Sequence, residues 1–371
     1  MLRLAADRLA SCIRKADLLS RLGGDEFTVL IARGGHDDAV QVAERIQAAF
    51  ESPMEFGGHQ LYVRVSVGIS ISPHGGRDAE TLLQHADIAM YRAKHRKLGA
   101  VVYAAEMNLG AFERLQLKAL LNRAVENREL VLHFQPQYRL SDETVVGAEA
   151  LVRWNHPQLG MVSPADFIPL AEETGLIVPV GTWVLQEACR QAVAWQRAGL
   201  SPVRMAVNVS ALQFDRADFV PQVARILQES GLEPALLELE LTERVVMGDL
   251  DETTRKMKAL KRLGVTLSMD DFGTGYSSLS YLSKLPLDVL KIDRSFVEQI
   301  HTSRASYLIV KAIVDLAAGL GLMTVAEGIE TLEELQALKE QEVTLGQGYL
   351  LSRPLPADRL SALLGQGVRE H

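Results

Sequence analysis

A repeated order of helix, glycine and strand runs through the last two thirds of the chain and restricts its fold more than any other feature. Four predicted helices each end at a glycine that suits a C-terminal cap, and each is followed by an apolar strand that ends in a polar residue. The glycines are Gly199, Gly231, Gly264 and Gly321, and the polar residues are Asn208, Glu240, Asp270 and Glu327. Strands that alternate with helices indicate βα units and a parallel sheet.

Eight strand candidates lie in this region, the number that closes a (β/α)₈ barrel. They span 131–135, 144–152, 204–209, 236–242, 265–269, 288–292, 322–326 and 343–348. The earlier part of the chain mixes helices and strands and is joined to this region by a charged helical stretch. We therefore predict an α/β protein with a first domain over 1–104, a helical linker over 105–127 and a barrel domain over 128–371.

Composition and charge narrow the class of protein. A hydrophobic content of 47% and a charged content of 23% are typical of a globular protein. The net charge of −8 argues against a DNA or RNA polymer as a partner. Cys12 and Cys189 have neither disulfide-framework nor metal-ligand spacing, which fits a reducing compartment. Without a membrane-length apolar run or a signal sequence, a cytoplasmic location is expected, and a longer, membrane-tethered parent protein is compatible with this.

Two adjacent carboxylates, Asp270 and Asp271, follow one predicted strand, and Lys291 stands inside the next. Neighbouring carboxylates repel each other unless one of them is protonated or a cation binds. A lysine within an apolar run needs an anionic partner or a catalytic role. A solvated pair of aspartates and a lysine that reaches the surface are the structural alternative.

The predicted strand ends carry an unusual number of acids. In a (β/α)₈ barrel these ends meet at one mouth, where cations would be needed to hold the acids together. The polar residues placed there are Glu149, Arg153, Asn208, Glu240, Glu243, Asp270, Asp271, Lys291, Asp293, Glu327 and Gln347. Oxygen ligands without histidine or cysteine suit Mg²⁺ or Mn²⁺, and this number of carboxylates fits two ions. Two metal ions are a recurring arrangement for phosphodiester hydrolysis.

Several short motifs over about 115–371 resemble those of the EAL family of cyclic-di-GMP phosphodiesterases. They are Gln135-Pro136, Glu149-Ala150-Leu151, Asn208-Val209-Ser210, Glu240-Leu241-Thr242-Glu243, Lys291-Ile292-Asp293, Ala326-Glu327-Gly328 and Gln347-Gly348-Tyr349. The resemblance implies a modified TIM (β/α)₈ barrel in which the first strand runs antiparallel to the others. The order of helices and strands could not have indicated that reversal.

The resemblance also implies a role for each matching position. One metal ion would be held by Glu149, Asn208, Glu240 and Asp270. A second ion would share Asp270 and be supported by Asp271 and, directly or through water, by Glu327. The catalytic lysine, Lys291, would contact the attacking water, and Gln347 would orient that water or its neighbours. The implied cofactors are two ions of Mg²⁺ or Mn²⁺.

The implied substrate is cyclic-di-GMP and the implied product is linear pGpG. The dinucleotide would be bound by Gln135, Leu151, Arg153 and Asp293, with Arg153 facing a phosphate. Leu351 stands where the family often has an aromatic residue, a departure that bears on affinity more than on chemistry. Glu243 would hold the loop after Asp271, and the resemblance implies a homodimer through this region.

The segment Gly23-Gly24-Asp25-Glu26-Phe27 resembles the motif of the GGDEF family, the diguanylate cyclases. It falls in a predicted hairpin turn, where glycines are needed. Arg14 and Asp17 match the RxxD pattern of that family's inhibitory product site. An exposed ion pair at a helix end is the alternative explanation for these two residues.

The resemblance covers an incomplete GGDEF-like domain. The family's first strand, with a metal-binding aspartate, would precede Met1, so Asp25 and Glu26 would lack their metal partner. Leu98 also replaces a basic residue expected to contact the triphosphate. We therefore predict a degenerate domain without cyclase activity. GTP binding that regulates the phosphodiesterase stays open.

Two other functions compete with a phosphodiesterase. A catalytically silent cyclic-di-GMP receptor would signal through conformation and dimerisation, but such a protein is expected to lose metal-binding acids or the lysine, and this chain has both. An unrelated metal-dependent barrel enzyme that acts on a phosphorylated metabolite is disfavoured by the density of matching motifs.

Overall fold

The computed structural model describes residues 1–56, 59–61, 63, 65–95, 98–104, 117–246, 250–273, 282 and 284–365. The chain divides into two compact units, residues 1–117 and 118–371. Most of the predicted linker helix and the loop after Asp271 lie outside the described residues. In the described ranges, no helix combines the length and the apolar character needed to cross a lipid bilayer.

The first unit mixes helices with short strands. Its helices are α1 (Leu2–Ser11), α2 (His36–Glu51) and α3 (Ala79–His95), and its strands are β1 (Leu18–Gly23), β2 (Glu26–Leu30), β3 (Met54–Phe56), β4 (His59–Leu61), β5 (Val67–Ile69) and β6 (Ala100–Val102). The pairs β1–β2 and β3–β4 are antiparallel, whereas β5–β6 is parallel. Apolar side chains of α1 and α2, among them Leu9, Val42 and Ile46, form the core of this unit.

Eight strands close a barrel in the second unit. With two short outer strands, they are β7 (Leu130–Arg139), β8 (Val145–His156), β9 (Gly160–Val162), β10 (Arg204–Val209), β11 (Leu237–Thr242), β12 (Thr266–Phe272), β13 (Val289–Ile292), β14 (Met323–Ala326), β15 (Leu345–Gly346) and β16 (Leu355–Pro356). β7 is antiparallel to both of its barrel neighbours, β8 and β15, and the other barrel pairings are parallel. The α/β class and the modified barrel with a reversed first strand are confirmed.

Helices surround the barrel and connect its strands. They are α4 (Pro164–Thr174), α5 (Ile177–Arg197), α6 (Ala211–Phe214), α7 (Phe219–Ser230), α8 (Glu243–Val246), α9 (Leu250–Leu263), α10 (Arg294–Val297), α11 (Arg304–Leu320), α12 (Leu332–Glu340) and α13 (Ala357–Gly365). The four predicted capping glycines, Gly199, Gly231, Gly264 and Gly321, have φ values of 78°, 75°, 94° and 71°. A side chain would be strained in this left-handed region, so the predicted caps are confirmed.

We predicted that the polar site residues lie at strand ends, and this prediction is wrong for Glu149 and Arg153. β8 continues beyond Glu149 to His156, and Arg153 lies on that extension. The extension is held on both sides by antiparallel pairing, because Trp154 pairs with Leu130 of β7 and with Val162 of β9.

Candidate active site

Lys291 lies at the centre of a ring of carboxylates inside the barrel, and its side chain is 1% exposed. Its Nζ lies 2.6 Å from Oε1 of Glu327, 2.8 Å from Oε2 of Glu240, 3.3 Å from Oδ1 of Asp270 and 4.0 Å from Oε2 of Glu149. A buried ammonium group is strongly disfavoured unless anions surround it. The ring therefore accounts for a lysine in an apolar strand, and the alternative in which Lys291 reaches the surface is wrong.

Parallel strand pairing fixes the positions of the ring's acids relative to neighbouring strands. Asn208 of β10 pairs with Glu240 of β11, and Thr242 of β11 pairs with Asp270 of β12. Glu327 follows β14, and its backbone N–H donates to the carbonyl of Ile292 at 3.1 Å. Residues far apart in sequence thus meet because the register of each strand is set by its neighbour.

Three amide side chains support the ring. Asn208 Nδ2 donates to Oε1 of Glu149 at 2.6 Å. Gln347 Nε2 donates to Oε2 of Glu149 at 2.7 Å and to Oε1 of Glu327 at 3.1 Å. Behind Gln347, Gln137 Nε2 donates to Oε1 of Gln347 at 3.1 Å. Our sequence analysis missed Gln137. Its signal was the period-two spacing that places Gln135 and Gln137 on one face of β7.

Burial and mutual repulsion shift the pKa values of these groups in different directions. Burial, followed by the charge of Glu149, raises the pKa of Glu240 well above its ordinary value. Burial also raises the pKa of Glu327 to about 8, although Lys291 opposes this. Burial alone would raise the pKa of Glu149, but Lys291 and the amides of Gln347 and Asn208 outweigh it and lower that pKa.

The ammonium of Lys291 keeps its charge in this environment. Burial alone would lower its pKa, but the charges of Asp270, Glu149, Glu240 and Glu327 outweigh burial and raise the pKa well above its ordinary value. One ammonium group faces four carboxyl groups. The site therefore favours a further proton or a further cation.

The donor atoms of the site fit a hard divalent cation. Glu240 is 0% exposed, and within the described ranges neither of its carboxylate oxygens has a hydrogen-bond partner. Lys291 Nζ lies near Oε2 as an ion-pair partner without hydrogen-bond geometry. Orphaned oxygens beside two more carboxylates and an amide oxygen are the ligand types that Mg²⁺ and Mn²⁺ prefer. Among the described residues, however, no three acidic, histidine or cysteine side chains converge as metal ligands; Lys291 lies between the carboxylates instead.

Asp271 directly follows Asp270 of the ring and is exposed. It sits near the end of β12 with a φ of 56°, and its backbone N–H donates to Oδ1 of Asp270 at 3.0 Å. A non-glycine residue in this conformation is uncommon and often marks a functional segment. The structure thus places Asp271 next to Asp270, as predicted for a ligand of the second ion, and that role stays a prediction.

A cleft of about 220 Å³ opens onto the ring. The residues that line it are Gln135, Glu149, Leu151, Asp270, Arg294, Glu327, Gly328, Glu330, Gln347, Gly348 and Tyr349. Two predicted substrate residues, Gln135 and Leu151, are therefore brought together with the acids. The other two, Arg153 and Asp293, are not among the lining residues. Asp293 instead caps α10 by accepting from the backbone N–H of Ser295 at 3.0 Å.

The family comparison agrees with this arrangement. The EAL domain family matches residues 118–354. The chain belongs to the EAL domain family. The family described as "Diguanylate cyclase, GGDEF domain" matches residues 1–99.

Relatives with both regions are known. The bifunctional diguanylate cyclase/cyclic di-GMP phosphodiesterase MucR of Pseudomonas aeruginosa is 43% identical over 358 residues, which cover 96% of this chain and 52% of that protein. The cyclic di-GMP phosphodiesterase PdeR of Escherichia coli is 39% identical over 358 residues, which cover 96% of this chain and 54% of that protein. The chain thus spans about half the length of these curated relatives.

Solved EAL domains share the barrel. The structure titled PaMucR phosphodiesterase, c-di-GMP complex, is 47% identical with a TM-score of 0.64, and the match covers 66% of this chain and 99% of that one. This likeness concerns the second unit, which contains the carboxylate ring.

Glu243 lies beside the EAL site at the start of α8, and it is 8% exposed. Its Oε2 has no hydrogen-bond partner among the described residues. The loop that Glu243 is predicted to hold falls outside those residues, so that role stays a prediction.

The GGDEF motif lies in the turn between β1 and β2, where Asp25 and Glu26 are exposed. Arg21 Nε donates to the carbonyl of Gly24 at 2.9 Å, which closes the turn. Arg14 and Asp17 are joined through the backbone N–H of Arg14 at 3.0 Å, whereas the Arg14 guanidinium pairs with Asp38 at 3.2 Å. The expected exposed ion pair of Arg14 therefore exists, but its partner is Asp38 and not Asp17.

Proposed function

We propose that the EAL domain hydrolyses cyclic-di-GMP to linear pGpG with two divalent ions, Mg²⁺ or Mn²⁺. The observation that carries this proposal is the buried ring of Glu149, Glu240, Asp270 and Glu327 around Lys291. Its position in the barrel interior, open to a cleft, suits a phosphodiester. The 47% identity to a phosphodiesterase solved with c-di-GMP supports the choice of substrate.

The residues of the ring and their neighbours would have different roles in the reaction. Glu149, Asn208, Glu240 and Asp270 would hold one ion, and Asp271 and Glu327 would join Asp270 at the other. When bound, such ions polarise the phosphate and lower the pKa of water. Lys291 adds a fixed positive charge beside these carboxylates, which favours hydroxide over water in its vicinity. Gln347 holds Glu149 and Glu327 in place through its amide.

The substrate would lie in the cleft above the ring. Gln135 offers an amide whose orientation is set by its hydrogen bond to the carbonyl of Ser352 at 3.2 Å. Leu151 and Tyr349 offer apolar and aromatic surface to a guanine base. For Arg153, which lies on the extension of β8 beyond Glu149, we propose a contact with a phosphate of the substrate. For Asp293 we propose an indirect contribution, in which its capping of α10 positions Arg294 at the cleft.

The test is turnover by the purified 371-residue chain. With cyclic-di-GMP and Mg²⁺ we expect pGpG, separated by chromatography, and inhibition when Ca²⁺ replaces Mg²⁺. Glu149→Ala and Asp270→Asn should abolish product formation, whereas Asp142→Asn, at an exposed hairpin turn, should not. Activity that survives either site substitution would overturn the proposed roles.

For residues 1–99 of this chain we propose no diguanylate cyclase activity. Asp25 and Glu26 are exposed, and nothing in the described part of the chain groups them with other acids as metal ligands. Leu98 is 57% exposed where a basic side chain would be expected to meet a triphosphate. The assay should use GTP with Mg²⁺ in the Glu149→Ala background, so that product cannot be destroyed. Detection of cyclic-di-GMP there would refute the proposal.

We further propose a homodimer through the EAL domain and leave GTP as a candidate regulator. Sedimentation of the chain with and without cyclic-di-GMP tests the first point. Glu243→Ala should weaken both dimerisation and divalent-ion binding. If the variant keeps both, the loop after Asp271 does not link the dimer contact to the metal site. Added GTP should alter turnover if the first domain regulates the second.

A further inference from the structure

A buried glutamine stands behind the candidate active site and does not reach it directly. Gln137 of β7 is 1% exposed. Its Nε2 donates to Oε1 of Gln347 at 3.1 Å, and Gln347 in turn donates to Glu149 at 2.7 Å and to Glu327 at 3.1 Å. A chain of hydrogen bonds thus runs from the reversed strand of the barrel into the carboxylate ring.

The chemistry of this chain allows one orientation of the Gln347 amide. The ionised carboxylate of Glu149 can accept but cannot donate, so the NH₂ group of Gln347 faces it at 2.7 Å. Its oxygen then points away from the ring and requires a donor. Gln137 supplies that donor. A rotated Gln347 amide would place its oxygen against the Glu149 carboxylate and its NH₂ group against the NH₂ group of Gln137.

Strand β8 leaves space for this arrangement at one position. Gly147 pairs with Gln137 across the β7–β8 ladder. A methyl group built on Gly147 would lie 2.6 Å from Oε1 of Gln137 and 3.3 Å from the carbonyl oxygen of Arg204. Since both contacts are closer than van der Waals distance, any larger residue at 147 would displace the Gln137 side chain.

We propose that Gln137 is a positioning residue for the phosphodiesterase reaction, acting through Gln347 on Glu149 and Glu327, and that Gly147 is required for its placement. The inference rests on the proposed function for its kinetic consequence. Residues behind the ligands of a metal site commonly alter ion affinity or activity by roughly 10- to 100-fold when they are replaced. Gln137 is not among the residues that line the cleft, so its effect should fall on kcat and on ion affinity, with KM nearly unchanged.

The test compares Gln137→Met with the wild-type chain. Methionine is similar in length and cannot donate, so we expect kcat to fall roughly tenfold, KM to change less than about twofold, and Mn²⁺ affinity measured by electron paramagnetic resonance to fall roughly tenfold. Gly147→Ala should reproduce the fall in kcat. In a Gln137→Ala background, Gly147→Ala should add little, because the displaced side chain is already gone.

Gln341 provides a matched control. It is also buried, at 3% exposure, and its Nε2 donates to a backbone carbonyl, that of Tyr307, at 3.2 Å. Gln341→Met should change thermal stability in the same way as Gln137→Met but leave kcat and Mn²⁺ affinity unchanged. An equal kcat in Gln137→Met and wild type, or an equal loss in Gln341→Met, would overturn the positioning role.

Failure of the proposed function can be distinguished from failure of this inference. If the wild type does not hydrolyse cyclic-di-GMP, the proposed reaction is wrong. Crystal structures of wild type and Gln137→Met then decide the remaining question. A Gln347 amide that leaves Glu149 in the variant supports positioning by Gln137, and an amide that keeps both carboxylate contacts refutes it.

Discussion

The Nζ of Lys291 on β13 lies 2.6 Å from Oε1 of Glu327, which directly follows the neighbouring strand β14. This contact joins a cation whose pKa is raised well above its ordinary value to a carboxyl whose pKa is raised to about 8. Three further carboxyl groups crowd the same ammonium. Buried charge is therefore concentrated around this one ammonium group.

Removal of the ammonium should harm both activity and folding. In Lys291→Met the four carboxyl groups lose their shared cation, and breaking a buried ion pair from one side destabilises by about 3–5 kcal/mol. We expect a loss of that size in unfolding free energy in EDTA, measured by denaturant titration. Turnover of cyclic-di-GMP should fall by at least about 100-fold, as for loss of a group that acts on the nucleophile.

Lys311→Met is the control for this substitution. Lys311 forms an exposed ion pair with Asp315 at 2.6 Å on α11. Exposed pairs of this spacing contribute about 0.3–0.5 kcal/mol, so stability and turnover should be nearly those of wild type. Equal effects of the two substitutions would contradict a special role for the buried lysine.

Glu240→Gln should stabilise the ion-free protein while it removes activity. Burial and the charge of Glu149 raise the pKa of Glu240, and its two oxygens have no hydrogen-bond partner in the part of the chain that the structure describes. A neutral amide of equal size therefore removes the cost of a buried, repelled charge. In EDTA we expect the free energy of unfolding to rise by about 1 kcal/mol, as it does for other substitutions that trade function for stability. Added Mg²⁺ should raise the melting temperature of wild type but not of the variant.

Asp315→Asn tests whether the gain is specific. It also neutralises one carboxylate in a protein of net charge −8, but at an exposed site. If it stabilises as much as Glu240→Gln, general charge repulsion and not the ring is the cause.

Gly348→Ala should destabilise the loop that carries Gln347. A methyl group there would lie 2.1 Å from the carbonyl oxygen and 2.2 Å from the nitrogen of Ile329, and backbone atoms cannot yield as a flexible side chain can. Overpacking of this kind destabilises by about 1–3 kcal/mol. Gly319→Ala, in α11 with open space around it, should instead stabilise by about 0.5–1 kcal/mol. Thermal unfolding of both variants checks the opposite signs.

Cys189 should be inert in the folded chain. It lies in α5 with 0% exposure, and burial raises the pKa of its thiol to about 12. In a Cys12→Ala background, alkylation by iodoacetamide at pH 8 should be at least about a thousandfold slower in native than in unfolded protein, because the thiolate is the reactive form.

The same thiol makes stability depend on alkaline pH. The folded state keeps a proton that the unfolded state loses above about pH 9, so the unfolding free energy falls as pH rises toward 12. The Cys12→Ala parent is compared with the same protein that also carries Cys189→Ala. Relative to that double variant, the unfolding free energy of the parent should fall by about 2 kcal/mol between about pH 9 and 10.5. A constant difference between the two would show that the thiol titrates normally.

Much of the barrel could be predicted because its strands are apolar runs, and several of them follow a glycine that ends a helix in the left-handed conformation. The ring could be predicted because its acids are anomalous in such strands. Gln137 was missed because a polar residue on β7 has no local anomaly; its partner, Gln347, is brought close by barrel closure. The pairing of Arg14 with Asp38 was missed for a similar reason, since α2 and not the local chain supplies the acid.

The reversed strand β7 determines where the polypeptide enters the barrel. In a uniformly parallel barrel the first strand starts at the floor, opposite the catalytic end. Here Leu130 pairs with Trp154, so the chain arrives at the rim and Glu129 accepts a hydrogen bond from Trp154 Nε1 at 2.9 Å. A displacement of residue 129 would therefore act first on the β7–β8 hairpin, which carries Gln135, Glu149 and Arg153, and only afterwards on the opposite end of the barrel.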